Sequence, residues 1–227
     1  MSALKDPIFI TGGTGYIGTR LIKILLNEGY EVTALVRQQS IKKLPKGCIP
    51  IMADPFAAST YTAAVPEGCI FIHLLGVSHP GPKKRDLFFS IDLASLKASV
   101  EAATQAHAKY FVYMSVAQYP TKIMGDYQEA RSQGEQAIIA SGIPSSFIRP
   151  WYIMGPGHYW PLLFNPVFKL LEIIPKTSVQ AKSLALVSLK QMLRTLKNVI
   201  LNISDRPNTI VEIKDIKRAG RHSVRME

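Results

Sequence analysis

A doubly wound α/β sheet with a short C-terminal cap is the fold this chain of 227 residues predicts. Three observations predict it. Short apolar runs alternate with stretches of helical period from Ile8 to Ile148, the pattern of a parallel sheet covered on both faces. A glycine-rich turn, Thr11-Gly12-Gly13-Thr14-Gly15-Tyr16-Ile17-Gly18, joins the first strand to the first helix. After Gly157 the alternation stops. Hydrophobic residues make up 47% with no long charged or low-complexity block, so one sizeable core is within reach.

The elements follow in order. Ile8–Thr11 reads as strand one. Residues 16–28 carry apolar side chains at 17, 21, 24 and 25 and stop at Gly29, which predicts a helix with a glycine C-cap. Residues 32–36 form strand two and residues 48–52 a short third strand. Residues 70–75 are a near-continuous apolar run, typical of a strand buried on both faces. A long helix covers 87–107, with Leu93, Leu96 and Val100 on one face, and residues 110–114 form strand five. Asp126 with Glu129 predicts a capping box opening a helix from Tyr127 towards Ser141, closed by Gly142. Residues 146–148 read as strand six. In the tail, Asn165-Pro166 predicts a helix start running to Leu171. Residues 186–200 predict an amphipathic helix, and 209–213 a last strand. The chain reads as a single domain over 1–227, with 158–227 a small cap over the carboxyl edge of the sheet, where a substrate pocket would form.

The turn has a function-bearing shape. Glycines at 12, 15 and 18 suit a tight turn, a close backbone approach to a pyrophosphate, and tight helix–strand packing. The helix that follows offers its N-terminal N–H groups and positive dipole end to an anion. The flanking strand and helix give the glycine spacing its weight; the spacing alone also arises in purely structural turns.

The bulk properties exclude several classes. No apolar run reaches membrane-spanning length, and Lys5-Asp6 fall where a signal-peptide core would begin. Cys48 and Cys69 lack ligand-like spacing and read as free buried thiols in a reducing compartment. A cytoplasmic protein is expected. No cluster suggests a metal, and His73, in an apolar strand, reads as a core histidine. The net charge of +11 is compatible with an anionic cofactor or an anionic surface.

Several ordered pieces together resemble the atypical or extended short-chain dehydrogenase/reductases, particularly the small NmrA-like NAD(P)-binding members. They are TGGTGYIG at 11–18, Asp54 after strand three, His-Leu-Leu-Gly at 73–76, FVYMS at 111–115, the helix from Tyr127, and Arg149-Pro150 followed by Gly155-Pro156-Gly157. The resemblance covers roughly residues 7–157 and implies a Rossmann-type sheet that binds a dinucleotide. It implies that Gly12, Thr14, Gly15, Tyr16, Ile17 and Gly18 hold the pyrophosphate, that Asp54 flanks the adenine, and that Leu75 and Gly76 run beside the adenine ribose. Pro150 joins the cofactor-binding set.

Cofactor choice follows from charge. A 2′-hydroxyl is read by an acid at the end of strand two, and a 2′-phosphate by positive charge. Strand two ends at Val36-Arg37, Lys42 and Lys43 follow, and no acid lies between Glu31 and Asp54. NADP(H) is therefore favoured, with Arg37 clamping the phosphate through its planar fork; NAD(H) is the other candidate.

In carbonyl-reducing relatives a Tyr, a Lys four residues later and a Ser or Thr at the end of strand five form the catalytic set. Here the resemblance puts Tyr127 at the Tyr position and Ser115 at the strand end, followed by Val116, which donates no hydrogen bond. Glu135 fits a common acidic position. Arg131 stands where the Lys belongs, and its wide fork is no simple substitute for a compact ammonium. Two readings stay open. One is an NADP(H)-dependent oxidoreductase acting on a carbonyl or alcohol, with Tyr127 as acid/base, Arg131 as ribose anchor and Ser115 as carbonyl donor. The other is a non-catalytic NADP(H)-binding redox sensor or complex subunit.

The tail is basic. Between Pro161 and Arg225 lie 12 basic and 4 acidic residues, with Lys190, Arg194 and Lys197 on one face of the amphipathic helix. This face is either solvated or docks on an anionic membrane surface or an acidic protein partner. Trp160, Leu162, Leu163 and Phe164 also suit the lining of a small apolar substrate's pocket. The tail carries no nucleic-acid-binding motif, so no nucleic acid is expected.

Overall fold

A computed structural model describes residues 5–78, 80–119, 124–157, 185–203 and 208–219. Seven parallel strands form the main sheet: β1 (Ile8–Thr11), β2 (Val32–Val36), β3 (Ile49–Met52), β4 (Ile70–His73), β5 (Tyr110–Met114), β6 (Ser145–Arg149) and, late in the chain, β9 (Thr209–Glu212). Their spatial order is β3-β2-β1-β4-β5-β6-β9. The chain builds outward from β1 in one direction and then, from β4, in the other. Ile8 is in register with both Val32 and Ile70, so β1 and β4 meet at the centre of the sheet. That reversal of strand order leaves a crevice at the carboxyl ends of β1 and β4, where ligands of doubly wound sheets bind.

The residues explain the elements. β1, β2 and β4 are buried along their whole length, as strands covered on both faces must be. Helix α1 (Gly18–Asn27) buries Leu21, Ile22 and Leu25 against one face. Full burial contributes roughly 1.5–3 kcal/mol per such side chain. It stops at Gly29 (φ +79°), whose neighbour Tyr30 donates its N–H to the Leu25 carbonyl at 3.0 Å. Helix α2 (Ala94–Gln105) is led in by one turn, Arg85–Leu87, and a π-helical stretch, Phe88–Leu93. Helix α3 (Gly125–Ser141) ends at Gly142 in the left-handed conformation (φ +75°), as the sequence predicts. α2 and α3 pack on the opposite face from α1, with Leu96, Val100 and Ile138 in that second core. A Cβ on Gly134 would lie 2.3 Å from Leu96 Cδ2, which shows how closely α3 approaches α2.

Three local expectations need correction. α3 starts two residues earlier than expected, at Gly125, and no side chain caps it; Asp126 instead pairs with Arg85 at 3.1 Å. Residues 186–188 are not helix but strand β8 (Leu186–Ser188), because they pair in parallel with β7 (Tyr152–Met154) beyond the end of β6. The helix that follows, α4 (Leu189–Leu201), opens with a capping box between Ser188 and Gln191. The last strand stops at Glu212 and gives way to α5 (Ile213–Ala219).

The described part of 158–227 does more than cover an edge. β9 pairs with β6 in the main sheet, and α4 and α5 bury Met192, Leu196, Ile200, Ile213 and Ile216 in the core that α1 also faces. Asn165 to Leu171 and the apolar residues Trp160 to Phe164 lie outside the described residues. Among the described residues no helix is long and apolar enough to cross a membrane.

Candidate functional site

The glycine turn sits at the switch point. Gly12 (φ +74°) presses against the turn after β4: a Cβ there would meet the Leu74 carbonyl carbon and the Leu75 nitrogen, each at 2.6 Å. Gly18 opens α1 so close to the loop that a Cβ would come within 2.3 Å of the Gly12 oxygen. Gly15 is exposed and donates to the Gly12 carbonyl at 3.0 Å. Thr14 and Ile17 are half-buried beside it. No side chain caps α1, and its first turn contains no carboxylate. The cradle therefore fits an anionic group: the dipole end is unopposed and the backbone is bare. Tyr16 leans across the loop, since a Cβ on Gly155 would fall 2.1 Å from its hydroxyl, and Arg20 stacks over the Tyr16 ring at 4.6 Å.

Below the turn, a buried polar chain ties β1 to β4 and α2. The His73 Nδ1 lies 2.9 Å from Thr11 Oγ1 and 3.0 Å from Ser99 Oγ. Burial, helped by the nearby Arg131 charge, pushes the His73 pKa down to about 3, so the ring is neutral. The histidine is a core residue, as its apolar strand implies.

Arg131 and Asp92 form the second feature. The Arg131 guanidinium meets the Asp92 carboxylate at 2.8 Å, and both side chains are buried. The other arm of the fork donates to the Met114 carbonyl at 2.8 Å, at the end of β5. Asp92 in turn accepts from the Val77 N–H at 2.6 Å. A Cβ on Gly76 would strike Arg131 Nη2 at 2.4 Å, so the turn after β4 lies directly on the guanidinium. Burial works against the Arg131 charge, but Tyr127, Tyr113 and Asp92 outweigh it and raise its pKa. Nε of Arg131 is buried without a hydrogen-bond partner.

Tyr127 and Ser115 stand close to this pair with different partners. Tyr127 is half-buried, packs against Phe88 at 4.9 Å between ring centres, and carries the Arg131 guanidinium 5.2 Å from its ring. Burial pushes its phenol pKa up, against the pull of Arg131. Ser115, buried at the end of β5, donates to Glu135 Oε1 at 2.5 Å. Glu135 also accepts from Arg149 Nε at 2.9 Å, and Arg149 lies 3.7 Å from Glu212 on β9. The acidic position seen in the sequence is thus a cross-brace between α3, β5 and β6.

Among the other predicted residues, Arg37 and Asp54 are exposed just beyond β2 and β3, whose last residues Val36 and Met52 are paired. The Asp54 carboxylate accepts from the Phe56 N–H at 2.9 Å. Leu75 and Gly76 border the crevice between the glycine turn and Arg131. Pro150 is buried, and its carbonyl accepts from the Ala117 N–H at 3.0 Å. The structure thus gathers Gly12, Leu75, Gly76, Arg131, Tyr127 and Ser115 around the ends of β1, β4 and β5, with Arg37 and Asp54 at one flank. Asp92 was missed, although its sequence signal is visible: it shares a helical stripe with Leu96 and Ser99, and a carboxylate on a buried stripe needs a buried partner. Among the described residues no group of three metal-ligand side chains exists.

The profile of the NAD(P)H-binding domain family matches residues 12–159, from the glycine turn to beyond β7. The chain belongs to the NAD(P)H-binding family. Its relatives place it among the atypical, NmrA-like short-chain dehydrogenase/reductases. It is 24% identical to a ceramide reductase of Caulobacter vibrioides over 224 residues, 95% of this chain and 67% of that protein. It is 30% identical to the photosystem II assembly factor Ycf39 of Cyanidium caldarium over 147 residues, 60% of this chain and 43% of that protein. A solved UDP-galactose 4-epimerase shares the fold, with a TM-score of 0.67 at 17% identity, covering 97% of this chain and 84% of that one. The relatives thus include a reductase and an assembly factor.

Proposed function

We propose that the protein binds NADP(H) at the carboxyl edge of its sheet and acts through that binding, as a redox sensor or complex subunit. One observation carries this reading: the polar groups a carbonyl reaction needs beside Tyr127 are already committed to the protein. Arg131 is ion-paired with buried Asp92, and the Ser115 hydroxyl donates a hydrogen bond to Glu135. A tyrosine whose pKa is raised by burial is also a poor match for general acid–base work near neutral pH. The dinucleotide, when bound, supplies a hydride donor or acceptor. The residues that hold it are Gly12, Thr14, Gly15, Tyr16, Ile17 and Gly18 at the pyrophosphate, Asp54, Leu75 and Gly76 along the adenosine, and Arg37 at a 2′-phosphate. Pro150 backs the crevice. We propose one domain over residues 1–227 and a cytoplasmic setting. Its basic C-terminal helix is the surface for an anionic membrane or an acidic partner.

A second reading is favoured by a different observation. Tyr127 and Arg131 share a helix face, and Arg131 Nε is a buried donor without a partner, which a ribose oxygen would satisfy. On this reading the protein is an NADP(H)-dependent oxidoreductase for a small apolar carbonyl or alcohol, with Tyr127 as acid/base.

The two readings separate on titration with NADPH and NADH, followed by nicotinamide fluorescence, before a carbonyl panel is added to the saturated complex. NADPH binding without oxidation, unchanged in Tyr127→Phe, supports the sensor or subunit. Oxidation that Tyr127→Phe abolishes establishes the oxidoreductase. Arg37→Ala is expected to weaken NADPH about tenfold, roughly 1.4 kcal/mol, and to spare NADH; equal effects on both would overturn the 2′-phosphate assignment.

A further inference from the structure

Three polar groups fix the Arg131 fork. Nη2 donates to Asp92 Oδ2 at 2.8 Å, and Nη1 donates to the Met114 carbonyl at 2.8 Å and to the Tyr113 hydroxyl at 3.5 Å. Asp92 is itself held, because its other oxygen accepts from the Val77 N–H at 2.6 Å. Only 1% of the Asp92 side chain and 6% of the Arg131 side chain are exposed, so water screens neither charge. Asp92 sits on the π-helical stretch Phe88–Leu93, a rare geometry that recurs at functional sites. The same guanidinium faces Tyr127, its central carbon 5.2 Å from the ring centre, and Phe88 of the π-helical stretch packs on that ring at 4.9 Å.

We infer that Asp92 is a positioning residue that acts on Tyr127 through Arg131: it draws the guanidinium charge to itself and so withholds from the Tyr127 hydroxyl the cation that a proton-transferring tyrosine needs. A lone buried cation at this distance favours a phenolate, whereas a cation in contact with a carboxylate has most of its field cancelled. Burial raises the Tyr127 pKa, Arg131 pulls it down, and Asp92 pushes it up again. The other ionisable groups near the phenol leave that balance in place. Tyr113, at the end of β5, stays protonated because burial pushes its pKa up to about 12. The Asp126–Arg85 pair at the start of α3 is solvated and neutral as a pair. Because one oxygen of Asp92 is tied to the turn after β4, the carboxylate keeps its place against Arg131 whatever the state of the phenol. This role rests on the reading in which the site binds a dinucleotide without proton transfer, and it names the residue that keeps Tyr127 silent.

The test is a pH titration of tyrosinate absorbance on the full chain without dinucleotide, with circular dichroism read alongside to keep to pH values where the chain is folded. Each chain is paired with its Tyr127→Phe counterpart, so that the difference reports Tyr127 alone. In Asp92→Asn the Tyr127 phenol should ionise at lower pH than in the parent chain. In Asp92→Glu, which restores the charge, it should ionise with the parent. Where Asp92→Asn does not fold, the double variant Asp92→Leu, Arg131→Met carries the comparison: with neither charge present, Tyr127 should again ionise with the parent. An Asp92→Asn phenol that stays at the parent's position would show that Asp92 withholds nothing. A double variant that ionises well above the parent would show that the Arg131 charge already reaches the phenol. Either result overturns the inference. NADPH titration of the parent chain tests the binding reading separately, because the phenol titration contains no dinucleotide.

Discussion

The two ends of the crevice are built on opposite plans. At the glycine turn the protein leaves its polar groups open: Gly15 is exposed, α1 has no side-chain cap, and no carboxylate competes for its first turn. At the end of β5 and along α3, most of the polar groups are committed to one another, Arg131 Nε excepted. Arg131 is held by Asp92 and the Met114 carbonyl, and Ser115 by Glu135, which Arg149 clamps. A ligand is invited at the first end by backbone geometry. At the second, the same kinds of residue that perform proton transfer elsewhere brace the fold. The turn after β4 links the two, lying against Gly12 on one side and against Arg131 on the other.

The contrast is most easily broken at Asp92. Asp92→Asn leaves a buried guanidinium uncompensated and should cost about 3–5 kcal/mol in urea denaturation. Replacing the pair together, Asp92→Leu with Arg131→Met, should recover most of that loss, because two apolar side chains need no partner. Little cost in Asp92→Asn would show the pair to be accessible and adjustable, and would move this end of the crevice towards the open plan.

His73 connects the plans and gives a pH signature. Its folded pKa of about 3 lies below its ordinary value of 6.5. The unfolded chain therefore takes up the proton first as acid is added. The stability that the neutral ring provides is complete above pH 6.5 and is lost as pH falls from there towards 3. His73→Gln should flatten the slope of unfolding free energy over that range; an unchanged slope would place the titration elsewhere.

Gly15→Val tests the open end. Nothing but the Gly12 oxygen, at 3.1 Å, lies near an added Cβ, so the fold should hold while the side chain blocks the approach of a pyrophosphate. NADPH affinity should fall at least about 100-fold, roughly 2.7 kcal/mol, with the melting temperature little changed.

The difference between the ends also explains what the sequence disclosed. The glycine turn is local: three glycines, a strand before and a helix after are all within twenty residues, so the cradle is legible, and so are all seven strands of the main sheet. Arg131 and Ser115 were legible as candidates, but their partners were not. Asp92 is 39 residues from Arg131, and Glu135 is 20 from Ser115. Only the sheet order brings them together. β8 was misread for the same reason: Leu186 to Ser188 carry helical spacing, and pairing with Tyr152 to Met154 overrides it. Asp126 failed as a cap because Arg85, forty-one positions earlier, takes its carboxylate.

Ser115→Ala gives the smallest effect and the sharpest separation of roles. If the hydroxyl serves the brace, its removal deletes one hydrogen bond to a carboxylate that Arg149 still satisfies. The cost should be about 1–2 kcal/mol in urea denaturation, with NADPH affinity unchanged. If the hydroxyl serves a carbonyl, any NADPH oxidation found with the carbonyl panel should instead fall by about 10²–10³, as it does when an oxyanion donor is removed. The two measurements move independently, since one reads the folded chain and the other a reaction. A variant that loses stability alone keeps Ser115 with the closed plan. A variant that loses turnover alone would mean that the Glu135 bond opens when ligand arrives, and that the second end is held shut only until then.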